Sequence, residues 1–316
     1  MKKIYLIELL RFLSSIGVIL HHYEIFFFRF NELNNIKISD NFELLPLNHI
    51  LKLFYIYGDY GVQMFWCISG FIISYIYLDR IKSNDAKKFF VNRFSRLYPL
   101  HFITLIFVAL LQLLNLSVFN KFMIFENNDL YHFVLNILFI SSWGLEKGMS
   151  FNQPIWSVSF ELIVYILFFL TVLGFKKLNL IKLIVIYVLI LLLNKSNFLY
   201  DQSALNILVS DQHNDIISCI QLFLSGMIIY RIYKLDNKFF LLVFSNLLLG
   251  ISLIGNFKIF IFCPALIMAV IAIENYLSIN NKSVKNILST MGQITYSCYL
   301  IHFPVALIAI MSVKEK

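Results

Sequence analysis

Long apolar runs alternate with short polar interruptions along this chain, and the runs have the length of helices that cross a bilayer. Apolar stretches lie near 4–28, 56–79, 97–118, 155–174, 178–194, 215–233, 239–256, 258–277 and 293–313. Each is close to the roughly 20 residues that a helix needs to traverse the hydrocarbon core. They are too long and uninterrupted for barrel strands, and a segment in lipid must pair its backbone groups internally. The pattern predicts an all-α, polytopic integral membrane bundle with nine to ten transmembrane helices. It also predicts a single domain over 1–316, with no long linker, low-complexity tract or internal repeat.

The tenth candidate, 130–143, is short. Basic loops decide how it is read, because Lys and Arg collect on the cytoplasmic side. The segment "DRIKSNDAKKFFVNRFSR" (79–96) holds six Lys/Arg against two Asp and is expected inside. Lys176, Lys177 and Lys182 then ask to be inside, as do Arg231, Lys234 and Lys238. Loop 29–52, with three basic and three acidic residues, falls outside; 195–215, with one Lys and three Asp, asks for the same side. These demands agree if the amino terminus is cytoplasmic and 130–143 does not fully cross, but enters and leaves from the outer face or lies along it.

Composition supports the membrane reading. Hydrophobic residues make up 59% of the chain and charged ones 14%, too little charge to cover a soluble domain of this size. Mean hydropathy is +0.78. In that setting the formal net charge of +8 reflects basic cytoplasmic loops and not nucleic-acid binding. The start, Met1-Lys2-Lys3 before an apolar run, imitates a secretory signal. It has no small-residue cleavage site, and Glu8 and Arg11 interrupt the run, so it is expected to stay as an uncleaved first span. Cys67, Cys219, Cys263 and Cys298 sit inside apolar segments without C-x-x-C spacing and are expected as small buried hydrophobes; no metal is indicated.

The first span carries a polar stripe. Arg11 and His22 are eleven positions apart, which at 100° per residue leaves them about 20° apart around the axis and about 16 Å apart along it. Ser15 lies between them, Glu8 joins the same face, and His21 points about a quarter-turn away. Ionisable groups in a span face the bundle or a wet cavity. Two readings stay open: a structural Glu8–Arg11 pair with His22 bonded to a neighbour, or a polar track across the membrane with His22 as general base.

Other polar groups interrupt apolar surroundings. Arg93 and Arg96, in "NRFSR", share a face if the third helix begins early; an arginine fork suits phosphate, and positive-inside anchoring is the plain alternative. Pro99 is expected in a first helical turn, fixing where the third span starts. In "GVQMFWCISGF" (61–71), Ser69 and Gly70 suggest close helix packing. "NQPIWSVSFELIVY" (152–165) contributes Trp156, Ser157, Ser159 and Glu161; the glutamate needs an arginine or a substrate hydroxyl as partner. "TYSCYLIHFP" (295–304) adds His302 and Pro304, where the histidine can satisfy backbone groups that the proline leaves free.

Taken in order, these elements are arginine, ten residues, then histidine in the first span; R-x-x-R in the first basic loop; "FWCISGF"; "WSVSFE"; and "YLIHFP". The ordered set, covering about residues 4 to 306, resembles acyltransferase family 3, the bacterial membrane O-acyltransferases that decorate surface glycans. The resemblance implies an acyl donor, usually acetyl-CoA, presented from the cytoplasm. It implies a carbohydrate or lipid-linked glycan acceptor at or beyond the outer face of the plasma membrane, with membrane lipids around the chain. By position His22 matches the family's essential histidine and Arg11 its paired arginine, with Glu161 joining them in the catalytic set. Arg93 and Arg96 match arginines thought to meet the coenzyme. Trp156, Ser159, Ser69 and His302 are expected to shape the acceptor end. Either direct attack assisted by His22 or an acyl-histidine intermediate satisfies the chemistry. A fused extracytoplasmic SGNH-type domain, which some members carry, is not expected here, and the resemblance implies one more span after "YLIHFP" than these residues hold. A transporter for a glycan precursor or small acylated molecule is the competing class, since transporters also bury ionisable groups; internal repeats and broken helices would favour it.

Overall fold

The computed structural model describes residues 3–30, 45–80, 85–174, 178–195, 213–254, 259–277 and 279–314. Lys176, Lys177 and the connections 31–44 and 196–212, on which the expected orientation partly leans, lie outside these residues. Every regular element among the described residues is a helix, and there are no strands among them. In order come α1 (Tyr5–Phe30), α2 (Asn48–Tyr57), α3 (Tyr60–Ile73) continued by a π-helical turn (Ser74–Leu78), α4 (Ala86–Phe119), α5 (Leu130–Ile137) and α6 (Ile155–Gly174). Then follow α7 (Leu180–Lys195), α8 (His213–Tyr233), α9 (Lys238–Ile254), α10 (Ile259–Leu277) and α11 (Lys282–Lys314).

Seven of the described helices are long and apolar enough to cross a membrane, namely α1, α3 with its π turn, α4, α6, α8, α10 and α11. The apolar parts of α7 and α9 are shorter, Leu180–Leu192 and Lys238–Leu253. The piece 130–143 contains only the eight-residue α5, whose rise of about 12 Å falls well short of a hydrocarbon core about 30 Å thick. Asp129 starts that helix, its side chain accepting the His132 backbone N–H at 2.9 Å, as an N-cap carboxylate does.

One expectation is corrected here. Pro99 does not mark the start of the third span: α4 begins at Ala86 and carries Pro99 in its interior. A proline there removes the donor for the carbonyl four residues back. That residue is Ser95, which is exposed, so its carbonyl need not be satisfied by the helix. Because α4 starts early, Arg93 and Arg96 stand three residues apart on one helical face.

The contacts divide the chain into two compact units. The first comprises Met1–Phe12, Val62–Phe89 and Phe160–Ile294. Within it α9 packs on α10, α7 on α8, and α8 on both α10 and the π turn. Helices α3 and α8 cross with their backbones in contact at Gly70 and Gly226. A Cβ at Gly70 would overlap the Phe223 carbonyl, and one at Gly226 would overlap that of Cys67. The expected role of Gly70 in close packing is therefore what the backbone displays. At one end of this unit Asp79 receives hydrogen bonds from Arg231 and Lys234, each at 2.7 Å, and from the Tyr230 hydroxyl at 2.8 Å. Cys67, Cys219 and Cys263 are buried thiols.

The second unit comprises Leu13–Gly61, Phe90–Ser159 and Thr295–Lys316. Its core joins Leu105 and Val108 of α4, Met123 and Phe151 of the following connections, and Phe303, Leu307 and Ile310 of α11. These side chains repeat at three- and four-residue spacing on α4 and α11, which is how each helix presents one stripe to the other.

Candidate active site

The part of α1 from Leu13 onward is held on two sides within the second unit. The Ser15 hydroxyl donates to the Thr295 carbonyl of α11 at 3.2 Å. Gly17 lies against Gly58 after α2, where a Cβ on Gly58 would overlap the Gly17 carbonyl. One turn further on, two adjacent histidines leave the helix about 100° apart. His21 turns to α2, its Nδ1 lying 2.8 Å from the Tyr55 carbonyl. His22 turns to α11, its Nδ1 lying 2.8 Å from Nε2 of His302. The two rings are tilted by only 20° with centroids 5.1 Å apart, as suits imidazoles meeting edge to edge through one N–H···N bond.

A third contact sets the direction of this chain. Nδ1 of His302 is 2.6 Å from the Tyr299 carbonyl. A carbonyl only accepts, so His302 carries its proton on Nδ1 and, as a neutral ring, offers a bare Nε2. The bond from His22 must then be donated by His22 Nδ1. Its own Nε2 is left with the lone pair, and that nitrogen has no hydrogen-bond partner among the described residues. His22 is only half-buried. The arrangement directs the free lone pair of His22 to Nε2.

The α11 segment beneath it is fixed by side chains from outside the helix. Pro304 has no N–H, so the Leu300 carbonyl loses its helical donor. The fully buried Asn152 supplies a replacement, its amide donating to Leu300 O at 3.2 Å and to Thr104 Oγ1 at 2.9 Å. Tyr299 donates from its hydroxyl to the Pro154 carbonyl at 2.9 Å, and Ser157 Oγ approaches that hydroxyl at 2.7 Å. Thus the carbonyl freed by Pro304 is taken by Asn152, and His302 serves the neighbouring Tyr299 carbonyl. This corrects the expectation that the histidine repairs what the proline breaks.

Two other histidines of this unit show what a structural role looks like. His101 is buried, with Nε2 bonded to the Asn136 carbonyl at 2.8 Å and Nδ1 sealed from solvent. His132 holds Asp129 through Nδ1 at 2.7 Å, but its Nε2 already accepts the Lys147 backbone N–H. That double use, by backbone and side chain of His132, holds the Asp129 carboxyl below its ordinary range. Neither ring presents a usable lone pair.

The remaining predicted residues are distributed between the units. In the first unit Arg11 is paired with Glu8 at 3.0 Å, and Lys3 reaches the same carboxylate at 3.6 Å, as the Glu8–Arg11 reading expects. Ser69 Oγ lies 3.3 Å from the Tyr165 hydroxyl. Glu161 is half-buried and has neither ion pair nor hydrogen bond among the described residues, so the arginine partner that was one of its expected options is not found there. In the second unit Arg93 is half-buried and Arg96 exposed. Trp156 is half-buried on the first turn of α6. Ser159 is buried; its carbonyl accepts from the Trp143 indole at 3.1 Å while its hydroxyl has no partner among the described residues. The structure therefore brings His22 and His302 into contact and backs them with Tyr299, Ser157 and Asn152. Tyr299 stands in the "YLIHFP" stretch without an assigned role and Asn152 has none, although Pro304 is a signal for the latter: an interior proline asks for a donor to the carbonyl four residues earlier.

The family model described as an acyltransferase domain matches residues 4–315. No curated protein and no solved structure matches.

Proposed function

The chain belongs to that acyltransferase family, and from this premise we propose that it transfers an acetyl group from cytoplasmic acetyl-CoA to a carbohydrate hydroxyl of a cell-surface glycan. The observation that carries the reading is the contact of His22 Nδ1 with His302, whose own bond to the Tyr299 carbonyl directs the free lone pair of His22 to Nε2. As the acceptor oxygen attacks the thioester carbonyl carbon, Nε2 takes the hydroxyl proton. The new C–O bond forms, the C–S bond breaks, and the departing thiolate recovers the proton from His22. The products are the sugar ester and free CoA, so the step needs no further reactant.

The other residues take supporting roles in this reading. Arg93 and Arg96, on one face of α4, bind the phosphates of CoA. Arg11, held by Glu8, stabilises negative charge developing on the donor. Glu161, which has no ion pair among the described residues, meets an acceptor hydroxyl. Trp156, Ser159 and Ser69 shape the acceptor end. The amino terminus is cytoplasmic and the chain resides in the bacterial plasma membrane.

The test is base-released acetate from the purified surface polysaccharide of the host. Wild type and complemented strains are expected to release it, and a deletion strain to release much less. Equal acetate in the deletion strain rejects action on that glycan.

A further inference from the structure

We propose that His302 is a positioning residue that fixes the tautomer of His22 and shares the positive charge that forms there. The inference rests on the acyl-transfer reading above and adds a role for a second imidazole. In water a histidine exchanges freely between its two neutral tautomers, and only one of them leaves Nε2 basic. Here the choice is made at the far end of a three-member chain. The Tyr299 carbonyl can only accept, at 2.6 Å, which puts the His302 proton on Nδ1. The bare Nε2 of His302 then requires a proton on His22 Nδ1, at 2.8 Å.

The chain does more than orient. When His22 Nε2 takes a proton, the ring becomes a cation with N–H groups at both nitrogens. Its Nδ1 proton can pass along the same bond to His302, which then holds the charge while still donating to the Tyr299 carbonyl. Either ring carries the charge without breaking a hydrogen bond. His21 makes the comparison clear, since its Nδ1 is tied to the Tyr55 carbonyl, which orients the ring but cannot accept a proton. Among the described residues the titratable side chains facing His22 are His302 on α11 and His21 on its own helix, with ring centroids 5.1 and 6.0 Å away. No carboxylate bonds either member of the pair among the described residues, so the partner ring takes the place that an acid holds in a hydrolase triad.

Two measurements test this. The full chain, labelled with ¹⁵N-histidine and held in lipid nanodiscs, reports each tautomer by two-bond proton–nitrogen correlations. Wild-type His22 is expected to carry its proton on Nδ1 with Nε2 bare, and His302→Phe to release that preference. A wild-type His22 protonated on Nε2 overturns the proposal whatever the activity. The second measurement is acetyl-CoA-dependent CoA release by host membranes, with the deletion strain as blank. His302→Phe keeps the bulk but removes the acceptor and is expected to lose about a hundredfold or more, within the range that a general base supplies. His302→Gln restores an acceptor oxygen and is expected to recover to within about tenfold of wild type. His302→Glu places a charge there and is expected to move the acidic limb of the pH–rate profile to higher pH. Equal losses in the Phe and Gln variants with an unmoved acidic limb reduce His302 to packing and overturn the proposal. Wild-type membranes that release no more CoA than the deletion strain reject the acyl-transfer reading instead, and the tautomer measurement then decides the role of His302 separately.

Discussion

Replacing Asn152 with alanine should expose how α11 tolerates a proline in its interior. The Asn152 amide donates to Thr104 Oγ1 at 2.9 Å and to Leu300 O at 3.2 Å, in a site with no solvent exposure. The Leu300 carbonyl has no helical donor because residue 304 is proline. Each bond contributes about 0.5–1.5 kcal/mol net in folded proteins, and side-chain bonds within membrane bundles average about 0.6 kcal/mol. Truncation should therefore cost about 1–3 kcal/mol, to which the small cavity adds. A double-mutant cycle isolates the part that belongs to the proline. In Pro304→Ala the helix regains an N–H for Leu300, so Asn152→Ala should cost about 0.5–1.5 kcal/mol less in that background. The cavity and the loss at Thr104 appear on both sides of the cycle and cancel. The assay is reversible denaturant unfolding of the full chain in detergent, for wild type, both single variants and the double variant. If Asn152→Ala costs the same in both backgrounds to within about 0.3 kcal/mol, the amide is not standing in for the missing helical donor.

Three further outcomes follow from the geometry. His22→Ala should abolish CoA release by about 10²- to 10⁴-fold, whereas His21→Ala should stay within about tenfold of wild type; comparable losses would mean that the relay does not single out His22. Arg93→Ala combined with Arg96→Ala should weaken CoA binding, read by titration calorimetry on the solubilised chain, with an affinity less sensitive to salt than that of wild type; wild-type affinity would remove their assigned role. Asp79 should give the fold a dependence on acid. Burial alone would raise its pKa, but hydrogen bonds from Lys234, Tyr230 and Arg231 outweigh that and bring it from 3.8 to about 2. A depressed carboxylate stabilises the fold above its unfolded pKa and loses that contribution as pH falls through the folded value. The thermal midpoint of wild type should thus drop between about pH 4 and pH 2 more steeply than that of Asp79→Asn, and parallel curves would show that this cluster contributes nothing to folding.

Much of the architecture was legible because bilayer thickness and helix geometry constrain the sequence strongly. The apolar runs 155–174, 215–233 and 258–277 differ from the helices Ile155–Gly174, His213–Tyr233 and Ile259–Leu277 by no more than two residues at either end. The failure at Pro99 has a local cause. A proline signals a helix start only where its missing N–H would otherwise be needed, and here the carbonyl it abandons belongs to an exposed residue. For the site, periodicity placed Arg11, Ser15 and His22 on one face, and Ser15 and His22 do both turn to α11. Periodicity cannot supply what lies opposite. That His22 meets His302, 280 residues away, depends on tertiary packing that no window of the sequence contains. The same limit explains why His302 was assigned to substrate and Asn152 to nothing: each is defined by a backbone carbonyl, and carbonyls leave no mark in a sequence except where a proline has freed one.

The central claim is that the chain passes an acyl group from CoA to an acceptor hydroxyl whose proton is taken by the lone pair on His22. Isotopically labelled acetyl-CoA supplied to inside-out host membranes tests it most directly, with label recovered as base-labile acetate in the polysaccharide. Wild type is expected to incorporate label with release of an equal amount of CoA, and His22→Ala, at equal abundance, to do neither. Undiminished incorporation by His22→Ala would contradict the account.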